Sequence, residues 1–90
     1  MKPYKDLLKT KHYIIREFDE NVDSIELMWH RDKETRLIEI LEPGDKWQLQ
    51  YDNELPFDLK EGMTLLIPKL EWHRVIKGEG KLKLKINLED

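Results

Sequence analysis

Two stretches carry residues able to do chemistry. The first is "EGMTLLIPKLEWHRV", residues 61–75, in which His73 follows Trp72 just past an apolar run. An imidazole in such a place can hold a metal ion, make an ordinary hydrogen bond or face solvent. The second is "WHRDKETR", residues 29–36, which contains His30, Asp32, Glu34 and Arg36. These four share parity, so one continuous strand places them on a single face. Trp29, Trp47 and Trp72 are the three tryptophans. They are able to stack a sugar or an aromatic ligand, or to fill a core or a dimer interface.

Other chemistries find no support. Ser24 is the single serine, and no nucleophile elbow surrounds it. There is no cysteine, so neither disulfides nor thiolates are available. Lys and Arg total 16 against 19 Asp and Glu, a formal charge of -3. The signs are interspersed, without the basic patch that a nucleic-acid partner requires. No run is long enough to cross a bilayer. The opening "MKPYKDLLKTKHYII" is too interrupted for a signal peptide. A cytoplasmic protein with neither a membrane nor a nucleic-acid partner is therefore expected. His12 reads as a surface residue, and "EPGD" and "KGEG" as turns without the context of a phosphate-binding loop.

The elements that must position these residues are short strands. In "KLKLKINL", Leu82, Leu84, Ile86 and Leu88 alternate with Lys81, Lys83, Lys85 and Asn87, the pattern of a strand with one wet face. Its lysine row reads as a solvated face or as a guard on a sheet edge. "KWQLQY" groups Trp47, Leu49 and Tyr51, and "SIELMW" groups Ile25, Leu27 and Trp29. In that last run His30 points away from the apolar face, unless a turn within "HRDKET" resets the parity. "HYIIREF", "RLIEIL", "FDL" and "TLLIP" are further strands, separated by "EPGD", "YDNE", "KEGM" and "KGEG". Only "PYKDLLKT" reads as a short helix, with Pro3 near its start. Ninety residues make one domain. Residues 1–11 are expected as a helical arm and 12–88 as an antiparallel β-sandwich or barrel.

The first stretch resembles the second conserved motif of the cupin superfamily. Gly62, Pro68 after five intervening residues, and His73 five positions beyond the proline match its spacing. Leu70 stands where cupins usually have glycine, Lys77 where asparagine is common, and Met63 where an acid is common. Upstream, "WHRDKETRLIEILEPGD" resembles the first cupin motif. Laid on it, His30 takes the first histidine position, Asp32 the second and Arg36 that of the glutamate. The resemblance spans residues 12–88 and implies an all-β, cupin-like jelly roll, a fold that hosts unrelated activities.

It also implies two functional readings. In one, a small-molecule-binding protein holds an anionic or sugar-like group in the barrel mouth through His73 and Arg36, with Trp72 and Trp47 nearby. In the other, a metal-dependent enzyme of isomerase or dioxygenase type uses His30, His73 and a carboxylate, Asp32 or Glu34. Two imidazoles and a carboxylate suit Fe, Mn, Ni or Zn. Against the metal, Arg36 has no acceptor atom and repels a cation, and pairing with Asp32 or Glu34 would fill the vacant place. A structural dimer module without a ligand is a third reading.

A homodimer is expected. In "RLIEIL", Leu37 and Leu41 lie on one face and Ile38 and Ile40 on the other, which suggests burial on both sides. The expected outcome is a two-chain mass by light scattering at micromolar concentration; a one-chain mass would remove this inference.

Overall fold

The computed structural model describes residues 2–24 and 27–89. The strands are β1 (Tyr4–Lys9), β2 (Tyr13–Phe18), β3 (Thr35–Glu42), β4 (Gln48–Tyr51), β5 (Phe57–Asp58), β6 (Thr64–Ile67), β7 (His73–Ile76) and β8 (Leu82–Glu89). Antiparallel pairing gives a five-stranded sheet ordered β1-β2-β8-β3-β6 and a three-stranded sheet ordered β5-β4-β7. Side chains of both sheets meet in one core, with Trp47, Ile40, Ile67, Leu82 and Ile86 its most deeply buried members.

Alternation along each strand produces this core. Leu82, Leu84 and Ile86 of β8 point inward while Lys83 and Lys85 point out. β8 lies between β2 and β3, at the centre of its sheet. Its lysines therefore guard no edge; they pair with neighbouring strands instead. Lys83 Nζ lies 3.3 Å from Glu42 Oε1, and Lys85 Nζ lies 4.7 Å from the centre of the Tyr13 ring.

Register stacks the inner side chains in layers. Arg36 of β3 is opposite Ile67 and Leu88, Ile38 is opposite Leu65 and Ile86, and Ile40 is opposite Leu84. Arg16 of β2 flanks Leu84 on the other side. In the smaller sheet His73 pairs with Tyr51, and Val75 with Leu49. Both strands "TLLI" and "HRVI" thus flank Pro68 as the Gly62–Pro68–His73 spacing implies.

One end is closed around Trp47, which is fully buried. Its indole N–H donates to the carbonyl oxygens of Glu79 (3.2 Å) and Gly80 (3.1 Å), and its ring centre is 5.9 Å from that of Phe18. The two turns there are laced by paired amide bonds between Asp45 and Glu79. Gly78 permits the approach, since a Cβ there would collide with backbone atoms of Asp45 and Trp47.

Two expectations are corrected. Residues 3–10 contain no helix, and Tyr4–Lys9 is a strand on the sheet edge. An isolated helix this short is marginal, whereas β2 supplies a row of backbone partners. Asp6 and Tyr4 strengthen the pairing. Arg16 Nε donates to Asp6 Oδ1 at 2.7 Å, and the guanidinium lies 3.6 Å from the Tyr4 ring centre. "SIELMW" yields no strand among its described residues, and Ile25 lies outside them. The Leu27 amide donates instead to the Ser24 carbonyl at 3.0 Å, a local bond foreign to a ladder.

The Asp6 pair carries a pH dependence. The Arg16 hydrogen bond holds the Asp6 carboxyl below its ordinary 3.8, outweighing partial burial. The folded pKa lies below the unfolded one. The pair's stabilisation is therefore complete above the unfolded value and lost as pH falls through the folded one. In urea unfolding, the wild type should exceed Asp6→Asn in stability at pH 7, and the gap should shrink as pH falls below the ordinary 3.8. A gap unchanged down to pH 2 would contradict this role.

Candidate metal centre

The site begins with a pair of backbone hydrogen bonds. The amide of His30 donates to the carbonyl of His73 (3.0 Å), and the amide of His73 donates to that of His30 (2.9 Å). This isolated antiparallel bridge brings together residues 43 positions apart in sequence. Their imidazole centres are 4.3 Å apart. Because residues 27–29 form no strand and His30 pairs only through an isolated bridge, the parity of "SIELMW" does not extend through His30. The segment instead crosses the edge of β7 and delivers His30 to the same side as His73.

Two cation–π pairs flank the bridge. The Arg74 guanidinium lies 4.8 Å from the Trp29 ring centre, and that of Arg31 lies 5.1 Å from the Trp72 ring centre. Each pair joins the two segments next to a histidine, so the contacts clamp the bridge from both sides. The Asp32 carbonyl accepts from the Leu70 amide at 2.7 Å, and Thr35 Oγ1 accepts from the Lys69 amide at 3.2 Å. Leu70 adopts φ of +64°, left-handed backbone that explains why a glycine suits this position.

Both histidines have defined tautomers. Nδ1 of His73 is 2.8 Å from the Glu71 carbonyl oxygen, and Nδ1 of His30 is 3.0 Å from that of Met28. A carbonyl only accepts, so each Nδ1 carries the hydrogen. In the neutral rings each Nε2 is then left with a lone pair. Nε2 of His73, which is buried, lies 3.4 Å from Asp32 Oδ2. That oxygen is buried and accepts no hydrogen bond. With a neutral ring the two lone pairs face one another in a buried place, an unfavourable arrangement that a metal cation, or a proton on Nε2, relieves. Ligand atoms of His30, Asp32 and His73 all lie within 4.8 Å of one another.

Arg36 leaves this arrangement intact. Its Nε and Nη2 donate to Glu34 Oε1 at 3.0 and 2.7 Å, while Nη2 is 3.6 Å from Asp32 Oδ1. Glu34 therefore takes the guanidinium's shortest contacts and lies outside the three-residue group. Burial opposes the Asp32 charge, but His73, Arg36 and His30 more than offset it, and its pKa falls below the ordinary value.

Beneath the three residues is a chamber of about 310 Å³. His30, Asp32, Arg36 and His73 line one part of it; Ile38, Ile40, Leu49, Leu59, Ile67 and Val75 are among its apolar walls. Trp47 and Trp72 do not line it. Trp47 is buried in the core, and Trp72 is 43% exposed beside Arg31. Sequence reasoning missed Arg16, which lines the chamber between Ile14 and Phe18 on the inner face of β2. A lone arginine sharing parity with two apolar residues was the available signal.

The clamp is testable apart from any ligand. Trp72→Ala should speed hydrogen exchange at the His30 and His73 amides about threefold, as loss of roughly 0.5–1 kcal/mol implies. Exchange in the β2–β8 ladder should not change; equal acceleration there would indicate general destabilisation instead.

No protein-family model and no curated protein matches the sequence. Solved structures do match. A cupin domain from Bordetella pertussis superposes with a TM-score of 0.63 at 15% identity, covering 100% of this chain and 98% of its own. A cupin superfamily protein from Desulfitobacterium hafniense gives 0.66 at 22% identity, covering 97% and 76%. An RmlC-like cupin family protein with a double-stranded β-helix fold from Methanocaldococcus jannaschii gives 0.66 at 17%, covering 98% and 80%. With all-β antiparallel sheets and this match along its whole length, the chain has the fold of a small cupin.

Proposed function

We propose that this protein binds a divalent transition metal through Nε2 of His30, Nε2 of His73 and the Asp32 carboxylate, and with it a small molecule in the chamber below. The observation that carries this reading is Asp32 Oδ2, which is buried without a hydrogen bond and lies 3.4 Å from Nε2 of the buried His73. The donor set supports it too. Two imidazoles and one carboxylate suit Zn, Fe, Mn or Ni. Backbone carbonyls fix both rings from behind, the usual outer support of a ligating histidine.

Charge also supports the reading. Arg36 pairs chiefly with Glu34, so the Asp32 charge is the one left for a cation. A bound ion would supply Lewis-acid chemistry, polarising a carbonyl or activating water. The chain itself holds the three donors, keeps Nδ1 protonated on each ring and aims Arg36 at an anionic group. Its apolar walls exclude water from the remainder of the chamber. A catalytic role of isomerase or dioxygenase type is the second reading, favoured by a donor set that leaves part of the ion's coordination open.

The test is calorimetry on untagged, chelator-stripped protein titrated with Zn(II), Ni(II) and Mn(II). One ion should bind per chain, at least about tenfold more weakly in His73→Ala and Asp32→Asn. Arg36→Glu should bind it about tenfold more tightly, since it replaces a repelling charge with an attracting one. Wild-type protein that binds none of the three would overturn the metal reading.

A further inference from the structure

The chamber's lining points to the class of small molecule it accepts. Among its described lining residues there is no serine, threonine, asparagine or glutamine. Its side-chain hydrogen-bonding groups are those of His30, Asp32, Arg36 and His73, together with Tyr4 and Arg16. The first four are neighbours. Arg16 is already held by Asp6 through two hydrogen bonds and stacks on the Tyr4 ring. The layers below Arg36 and His73 are hydrocarbon: Ile38 with Leu65, and Val75 with Leu49.

A sugar needs partners for hydroxyl groups on every side, and each buried without one is costly. This chamber offers polar partners at one end. A molecule with a single polar head and an apolar body meets both parts.

Charge narrows the head. Asp32, Glu34 and Arg36 together carry one net negative charge. A divalent ion on His30, Asp32 and His73 turns that into one net positive charge, which a monoanion neutralises. Arg36 lines the chamber beside this group: Glu34 Oε1 takes its Nε and Nη2, while its Nη1 makes no hydrogen bond among the described residues and is left to donate to a carboxylate. The volume, about 310 Å³, is at the small end for ligand pockets. His30 is exposed and Met28 is 70% exposed, and both line the chamber. The polar end is therefore also the end reached from solvent.

We propose that the chamber binds a small apolar monocarboxylate. Its carboxylate sits beside Arg36 and the metal-binding group, and its hydrocarbon body lies among Ile38, Leu49, Leu65 and Val75. This rests on the metal reading above and excludes the sugar-like ligand that the fold resemblance left open. Arg36 selects the head, and the Ile38 and Val75 layers select the body.

The experiment has two stages, so that the two readings fail separately. Zinc is first titrated into chelator-stripped protein. The zinc-loaded protein is then titrated with butanoate, hexanoate and octanoate, with octan-1-ol and with mannose 6-phosphate. Affinity should rise about threefold to fourfold per added methylene. Octanol should bind at least tenfold more weakly than octanoate, and mannose 6-phosphate should not compete. Removing zinc, or substituting Arg36→Gln, should each weaken octanoate at least tenfold. Val75→Phe should abolish the chain-length dependence while zinc binding persists.

Zinc binding with a flat carboxylate series would overturn this proposal and leave the metal reading standing. So would mannose 6-phosphate binding in preference to octanoate, or octanoate binding equally well without zinc. Protein that binds none of zinc, nickel and manganese would overturn both.

Discussion

Two amide hydrogen bonds between His30 and His73 determine everything the site can do. An antiparallel pair that exchanges both bonds fixes the separation and facing of its two residues. Here the pair joins an otherwise irregular segment to the open edge of β7. Without it, residues 27–34 have no ladder to follow, and the facing of His30 toward His73 loses its backbone support. The Trp29–Arg74 and Trp72–Arg31 contacts and the Leu70 amide bond to Asp32 secure the same segment.

The site sits at one end of a fold whose other end is a packed hydrocarbon floor. Trp47 closes that floor, and Gly78 lets two turns meet beneath it. Between floor and site the inner faces of β3, β8, β6, β4 and β7 supply apolar layers. Five ionisable groups at the top would ordinarily be expensive in such surroundings. Here Glu34 and Arg36 neutralise one another, both rings donate to backbone carbonyls, and Asp32 Oδ2 is the one buried side-chain polar atom without a hydrogen bond among the described residues. That one unsatisfied atom connects the fold to a function, because a cation satisfies it and a neutral imidazole does not.

Much of the architecture was legible because period-two alternation survives folding wherever one face is wet. β8 reads directly from "KLKLKINL", and Trp47 and Leu49 from "KWQLQY". The Gly62–Pro68–His73 spacing located a strand, its end and a histidine opening the next strand. The N-terminal residues were misread because "PYKDLLKT" is short and ambiguous. Its conformation is decided by β2, which offers backbone partners and an arginine for Asp6. "SIELMW" alternates like a strand without pairing as one in its described residues. Alternation describes a face, and it does not create a neighbour with free amides.

The sequence by itself determined the fold class, the inward histidine at position 73 and the types of the candidate donors. It also put Arg36 on the same strand face as Ile38 and Ile40. Only the tertiary structure decided which carboxylate Arg36 pairs with, because that depends on where Glu34 lies relative to the guanidinium. It alone brought His30 across from His73, oriented both Nε2 atoms and left Asp32 Oδ2 unsatisfied. It moved Trp47 from candidate ligand contact to core and put Arg16 into the chamber wall. The physical reason is that burial pattern is a local property of alternating residues. A site is a meeting of atoms from distant segments, set by backbone hydrogen bonds that no single stretch contains.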